Sequence, residues 1–298
     1  MDHHGAAIAV PLPAVRRRRT LARQWRALLR NGGGWVLSTL ALFALLFPVL
    51  VMLSTSLKTL NGVYHAPPTW VPAPITLQNF ADIWAKYPLA TYMRNSLVIG
   101  IGATALNLVA AIPAGYAVAR LRFRGRQSFM LLLLLIQMFS PVIVLIPLFK
   151  IMAWLHWLDT YWSLIVTGTV FTLAFSIWML ASYFRTIPAE IEEAALVDGC
   201  TRGQTILRIA LPIAAPGVVT TIIYVFITVW NEFIFALTFI SRTEMRTLTV
   251  GLYTFIGRWA VQWHYLMAAA LVGVIPVVIL FMLVERHLVR GLALGAVK

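Results

Sequence analysis

Ionisable side chains are scarce in this chain, with ten Asp and Glu and six His among 298 residues. Their placement decides which chemistry is open. Four acids, Glu190, Glu192, Glu193 and Asp198, crowd into one short polar segment between two long apolar stretches. Glu232 is the one acid well inside an apolar stretch, where a carboxylate is costly and is a functional candidate by default. Asn231 beside it, with Gln137 and Ser140, offers amide and hydroxyl groups suited to a hydroxyl-rich solute, and Trp230 offers a ring face for stacking. The same groups suit an interhelical hydrogen-bond network that locks helices together. No catalytic constellation is visible. His156, His264 and His287 have no partners at metal-ligand spacing, and His3 and His4 are adjacent in a tail. No G-x-x-x-x-G-K-[ST] phosphate loop occurs, and none of the four lysines follows a glycine. The chain thus has no visible means of hydrolysing ATP and needs none of its own cofactors.

The elements that must position these groups follow from composition. Sixty per cent of residues are hydrophobic and 11% are charged, where a soluble domain carries about 25% charge. Six apolar runs exceed or approach the roughly 20 residues that span a bilayer, near 35–56, 96–121, 128–148, 162–184, 213–240 and 265–288. Each must be helical, because lipid offers the backbone no hydrogen-bond partner. The fold class is all-α, a polytopic membrane protein of six transmembrane helices. Pro113, Pro141 and Pro147 are expected to kink spans two and three. The single cysteine, Cys200, excludes an internal disulfide.

The net charge of +14 is distributed between spans, which points to anionic headgroups and away from nucleic acid. With the N-terminus inside, seventeen of the 24 Lys and Arg residues fall on the inner side and seven outside. Both termini and the acidic segment are therefore expected in the cytoplasm. Residues 1–34 form a basic tail, and residues 35–298 the six-span domain. The first apolar run is too long and starts too late for a cleavable signal peptide. Leu21, Trp25, Leu28 and Leu29 recur at helical spacing among arginines, as in an interfacial helix, although a plain basic retention tail fits equally. The external stretch 58–93 holds Pro67, Pro68, Pro72, Pro74 and Pro88, which favour extended structure and turns over helix. Its aromatics, Trp70, Phe80, Trp84 and Tyr87, suit a lid or docking surface, or an interfacial belt.

The polar segment at about 186–212 predicts two short helices. Pro188 suits a first helical turn, and the following glutamates favour the positive end of the helix dipole. Gly199 can take the left-handed conformation that ends a helix after Asp198. Thr201 can cap a second helix reaching Ile209, with Pro212 stopping it. Helices this short need a surface to pack on.

Glu193-Ala194-Ala195, Asp198-Gly199 and Leu211-Pro212 lie at the spacing of the E-A-A-x-x-D-G…L-P loop of binding-protein-dependent ABC importer permeases. The chain resembles that family over about residues 35–298, and within it the carbohydrate-uptake branch, in the manner of the second permease of the maltose-importer type. Asn95-Ser96-Leu97, Tyr116-Ala117-Val118-Ala119-Arg120, Phe123-Arg124-Gly125-Arg126, Trp230-Asn231-Glu232-Phe233 and the ending Gly291 to Lys298 carry the resemblance. Cys200, Gly203, Ile206, Ala293 and Leu294 depart from the family pattern. The resemblance implies a sugar or polyol importer of the bacterial or archaeal inner membrane. Its partners would be a second permease, two copies of an ATPase that bind ATP and Mg, and an extracytoplasmic solute-binding protein. It also implies that Glu193, Ala194, Ala195, Asp198, Gly199, Leu211 and Pro212 engage the ATPase. Because W-N-E is shared by the family while sugar contacts vary, it favours the structural reading of Glu232. A non-sugar solute such as a sugar phosphate, a secondary transporter and a membrane enzyme are the alternatives. A secondary transporter would carry several intramembrane acids or paired broken helices, and a membrane enzyme a cluster of polar catalytic groups.

Overall fold

In a computed structural model, the backbone is described for residues 16–67 and 69–295 and side chains for 35–67 and 69–285. Among these residues the chain is helical, with no strand beyond one isolated bridge between Ile256 and Val261. The chain divides into two units, 1–52 and 53–298. The described part of the first unit is helix α1 (Arg16–Ser56), whose last turn opens the second. The helical backbone runs without interruption from the basic tail into the apolar stretch, so the expected boundary at residue 35 is a change of composition within one helix. The side chains of Leu21, Trp25, Leu28 and Leu29 lie outside the described ones.

The second unit continues with α2 (Leu60–Val63), α3 (Gln78–Ala85), α4 (Leu89–Arg120), α5 (Arg126–Met138), α6 (Pro141–Trp154) and α7 (Tyr161–Thr186). Next come α8 (Ala189–Val197), α9 (Arg202–Thr205), a π-helical turn (Ile206–Ala210), α10 (Leu211–Ile213), α11 (Ala215–Trp230) and α12 (Ile234–Phe239). A 3₁₀ turn (Thr243–Met245) precedes α13 (Leu248–Tyr253) and α14 (Trp263–Gly295). Among the described residues, four helical stretches are long and apolar enough to cross a membrane, or six counting two bent pairs, Arg126–Met138 with Pro141–Trp154 and Arg202–Ile213 with Ala215–Trp230, as spans.

Two expected spans are broken. The third divides into α5 and α6 at a bend of 98°. Pro141 opens α6 and cannot donate to the turn before it, so the chain turns at Phe139 and Ser140. Pro113, expected to kink, lies within an uninterrupted α4. In the fifth, α11 stops at Trp230 and α12 resumes at Ile234. The stretch 58–93 also differs from expectation, since it carries α2 and α3. Pro67, Pro72 and Pro74 fall between helices, and Pro88 at the N-cap of α4. Trp70 and Trp84 are exposed there, while Phe80 and Tyr87 pack against the core.

The core of the unit is the α4–α7 pair. A Cβ on Gly115 would lie 3.0 Å from the Leu180 Cβ and 3.3 Å from the Ala181 backbone nitrogen. Small residues allow this approach, as is usual where lipid supplies no hydrophobic drive. Buried hydrogen bonds fix the register: Asn107 Nδ2 donates to Thr172 Oγ1 at 3.0 Å, and Thr169 Oγ1 donates to the Ala103 carbonyl at 3.2 Å. At the end opposite α8, Asp82 ties α3 to α14. It accepts from Tyr265 at 2.6 Å, Lys86 at 2.7 Å and Gln78 at 3.0 Å.

Bonds from Lys86, then Tyr265 and Gln78, pull the Asp82 carboxyl down from 3.8 to about 2. A lowered native value stabilises the fold above the ordinary carboxylate range and is lost as pH falls through the native value. The melting temperature of wild type is therefore expected to exceed that of Asp82→Asn at neutral pH. The gap should close between about pH 4 and about pH 2; a gap independent of pH would contradict this account.

Candidate functional site

The acidic segment folds into a compact helical knob. Pro188 takes the N-cap position of α8, one residue before the first turn, and Glu190 and Glu192 occupy that turn. The C-terminus closes as predicted for Gly199, whose φ is +89°. Gly199 N donates to Leu196 O at 3.2 Å and Cys200 N to Ala195 O at 3.0 Å, the paired bonds of a Schellman cap. Thr201 then opens α9 in a capping box. Its hydroxyl accepts from Gln204 N at 3.3 Å, and its own N donates to Gln204 Oε1 at 2.8 Å. The second helix does not stop at Pro212. A π turn at Ile206–Ala210 precedes Leu211-Pro212, and the helix ends at Ile213. Pro212 lies at the start of α10, where a missing N–H is tolerated.

The knob is anchored on one side and bare on the other. Ala195, Thr205, Ala210 and Ala214 are buried, and Ala210 and Ala214 join Leu180, Phe184 and Ile187 in a core cluster. Glu193, Ala194, Asp198 and Pro212 are exposed. So are apolar side chains with no covering in the described chain: Val197 is 87% exposed and Leu207 65%.

Glu192 is the anchor that the sequence reading did not separate from its neighbours. Only 5% exposed, its carboxylate accepts from Arg120 Nε at 2.9 Å and Tyr116 OH at 2.7 Å. A terminal nitrogen of Arg120 also donates to the Ile187 carbonyl at 2.6 Å. The end of α4 is thereby joined to both the entry and the first turn of α8. Arg120 closes the Y-A-V-A-R stretch, but nothing in sequence reveals that a residue 72 positions away is its partner.

The residues expected to face a solute divide. Trp230 is 4% exposed and stacks on Phe226, with ring centroids 5.5 Å apart and planes at 21°. Gln137 lines a cleft of about 220 Å³ beside Phe175 and Trp178. Ser140 is exposed at the N-cap of α6 and caps nothing. Asn231 and Glu232 share a different cleft of about 410 Å³, which reaches Pro141 of α6 and Thr167 of α7. The Glu232 carboxylate is internal in its bonding. It accepts from Phe235 N at 2.7 Å and Ala236 N at 2.9 Å, capping the restarted α12, while its carbonyl accepts from Thr249 Oγ1 at 2.7 Å. The acid thus supports the break in its own span; among the described residues its carboxylate bonds to no neighbouring span.

A helical membrane domain with a short, anchored knob between two spans defines a class of transport components. The family described as "Binding-protein-dependent transport system inner membrane component" matches residues 111–294, and the chain belongs to it. It is 41% identical over 263 residues to the inner membrane ABC transporter permease protein YcjP of Escherichia coli (strain K12), spanning 87% of this chain and 94% of that protein. It is 38% identical over 253 residues to the sulfoquinovosyl glycerol transport system permease protein SmoH of Agrobacterium fabrum, spanning 85% and 89%. In fold it is similar to a chain of a bacterial ABC transporter that imports the acidic polysaccharide alginate, with TM-score 0.75 and 22% identity over 93% of this chain and 99% of that one.

Removing one partner of a buried ion pair typically costs roughly 3–5 kcal/mol, because the other charge is stranded. Glu192→Ala is expected to lower the melting temperature sharply. The exposed neighbour change Glu193→Ala should stay within about 0.5 kcal/mol of wild type. Thermal unfolding of the two purified variants checks the contrast, and equal melting temperatures would refute the anchor.

Proposed function

We propose that this chain forms half of the translocation pathway of an ATP-driven sugar importer. It pairs with a second permease, receives solute from an extracytoplasmic binding protein, and takes its energy from two copies of an ATPase that hold ATP and Mg. The single observation that carries this reading is the knob, locked at its base by Glu192 and bare at its apolar tip. A rigid base is what force transmission needs, and an apolar tip with no cover is what a protein partner buries. Glu193, Ala194, Ala195, Asp198, Gly199, Leu211 and Pro212 then form or shape the surface that engages the ATPase cleft. Closure of the ATPases moves the knob, and through Arg120 the end of α4, alternating the side from which the pathway is open. Hydrolysis belongs to the partner. Support for a sugar comes from the named solute of the SmoH relative.

In this reading the knob, the α4–α5 turn and both termini face the cytoplasm, and the stretch with α2 and α3 faces outwards. Thiol labelling from each side, with Cys200→Ser as background, is expected to modify Asn61→Cys from outside and Gly125→Cys from inside. External labelling at position 125 would overturn the orientation.

The coupling role is tested at Gly199. A Cβ there meets nothing within 4 Å, so Gly199→Val acts on the backbone alone, at about 1 kcal/mol or more. Gly199→Val and, on the exposed face of α8, Ala194→Trp are expected to insert and to pair with the second permease. Both should lose ATPase on purification, or hydrolyse ATP without matching uptake. Wild-type ATPase retention together with wild-type uptake in both would sink the assignment.

A further inference from the structure

Both broken spans open on the same cleft. Pro141 follows the break between α5 and α6, and Asn231 begins the break between α11 and α12; both line the space of about 410 Å³. Backbone that leaves the helix at membrane depth is tolerated where protein buries it or where it borders a water-filled cavity. The volume falls in the range of small-molecule sites, roughly 300–1,000 Å³.

A second observation points into the same place. Helix α7 carries several hydroxyls, and Thr169, Thr172 and Ser176 each donate to the carbonyl four residues back, at 2.7–2.9 Å. This back-bonding is the ordinary resting state of a helical hydroxyl. Thr167 departs from it. It is 2% exposed, lines the cleft, and its Oγ1 is buried with no partner among the described residues. An unpaired buried hydroxyl is costly, so a partner from outside the chain is expected. Across the cleft, the Asn231 amide donates to Ile227 O at 2.9 Å, leaving its oxygen as an acceptor on an exposed side chain. Apolar rings, Phe171 and Phe233, line the same cleft. Gly168 lets α11 pack close against α7 beside the cleft, since a Cβ there would lie 2.7 Å from Val229 Cγ2.

We propose that this cleft is a transient subsite for one sugar ring during passage. Thr167 and Asn231 exchange hydrogen bonds with ring hydroxyls, and Phe171 and Phe233 take the C–H face. The proposal rests on the importer reading. It adds Thr167, which no sequence motif marks, and leaves Trp230 and Gln137 outside the subsite. The rival partner for Thr167 is a single water, because a void of about 10 Å³ touches Thr167, Glu232 and Thr247.

The test uses the full complex in proteoliposomes, with maltose, trehalose and sulfoquinovosyl glycerol as labelled probes. The readout is sugar delivered per ATP hydrolysed. For each sugar carried, Thr167→Val is expected to lower that ratio roughly three- to tenfold, the loss of one hydrogen bond, and Thr167→Ser to restore it. The fall should differ between sugars. Asn231→Ala, at an exposed position, should lower the ratio too. A ratio unchanged in Asn231→Ala, or an identical fall for every sugar in Thr167→Val, would overturn the subsite and leave the importer reading standing. Uptake of none of the three probes by the wild-type complex would defeat the sugar reading and the subsite with it.

Discussion

The Glu192 carboxylate is buried at the junction of α4, α7 and α8, a place from which burial alone would expel an ion. It stays because Arg120 neutralises it and Tyr116 completes its shell, with Tyr116 itself held edge-on against Phe184 at 5.7 Å. Attraction at such a site is strong only when the geometry is good and the remaining lone pairs are bonded. Both conditions hold. The consequence is directional, because α8 cannot shift relative to α4 without stranding a charge.

Everything else in the knob follows from that fixed base. Helices of nine and four residues have no stability of their own. The Schellman cap at Gly199 and the capping box at Thr201 satisfy their end groups within a few residues, and Ala210 and Ala214 let the returning chain lie against α7. The helix-end groups are thus satisfied internally, and beside the exposed Glu193 and Asp198 the surface left for a partner carries apolar side chains: Ile191, Leu196, Val197 and Leu207. At the far end, Asp82 plays the corresponding part by joining α3 to α14. The two carboxylates brace opposite ends of a bundle whose middle is held by small residues and hydroxyls.

How much of this was legible in sequence depended on the range of the interaction. The apolar stretches were legible because each is long and composition alone decides it. Gly199 and Thr201 were legible because turns and caps are written within four residues. Glu192 was not, since three glutamates at 190, 192 and 193 look alike until the helix phase and a residue 72 positions away are both known. The bend at Ser140 was legible as the kink expected at Pro141, whereas the break at Asn231 was missed for another reason. Hydropathy averages over a span and cannot register three residues leaving the helix. Trp230 suggested ring stacking by type, and the phase of α11 turned it into the core. Thr167 carries no sequence signal at all, because its neighbours Thr169 and Thr172 differ from it only in having a partner.

The central claim is that the bare apolar tip of α8 is where the ATPase sits. The most direct measurement is the labelling rate of Val197→Cys, in a Cys200→Ser background, by a water-soluble thiol reagent with and without the ATPase bound. Val197 is 87% exposed in the chain alone, so fast labelling is expected there. The account predicts strong protection once the ATPase is bound and recovery when it is stripped away. Equal labelling in both states would contradict it.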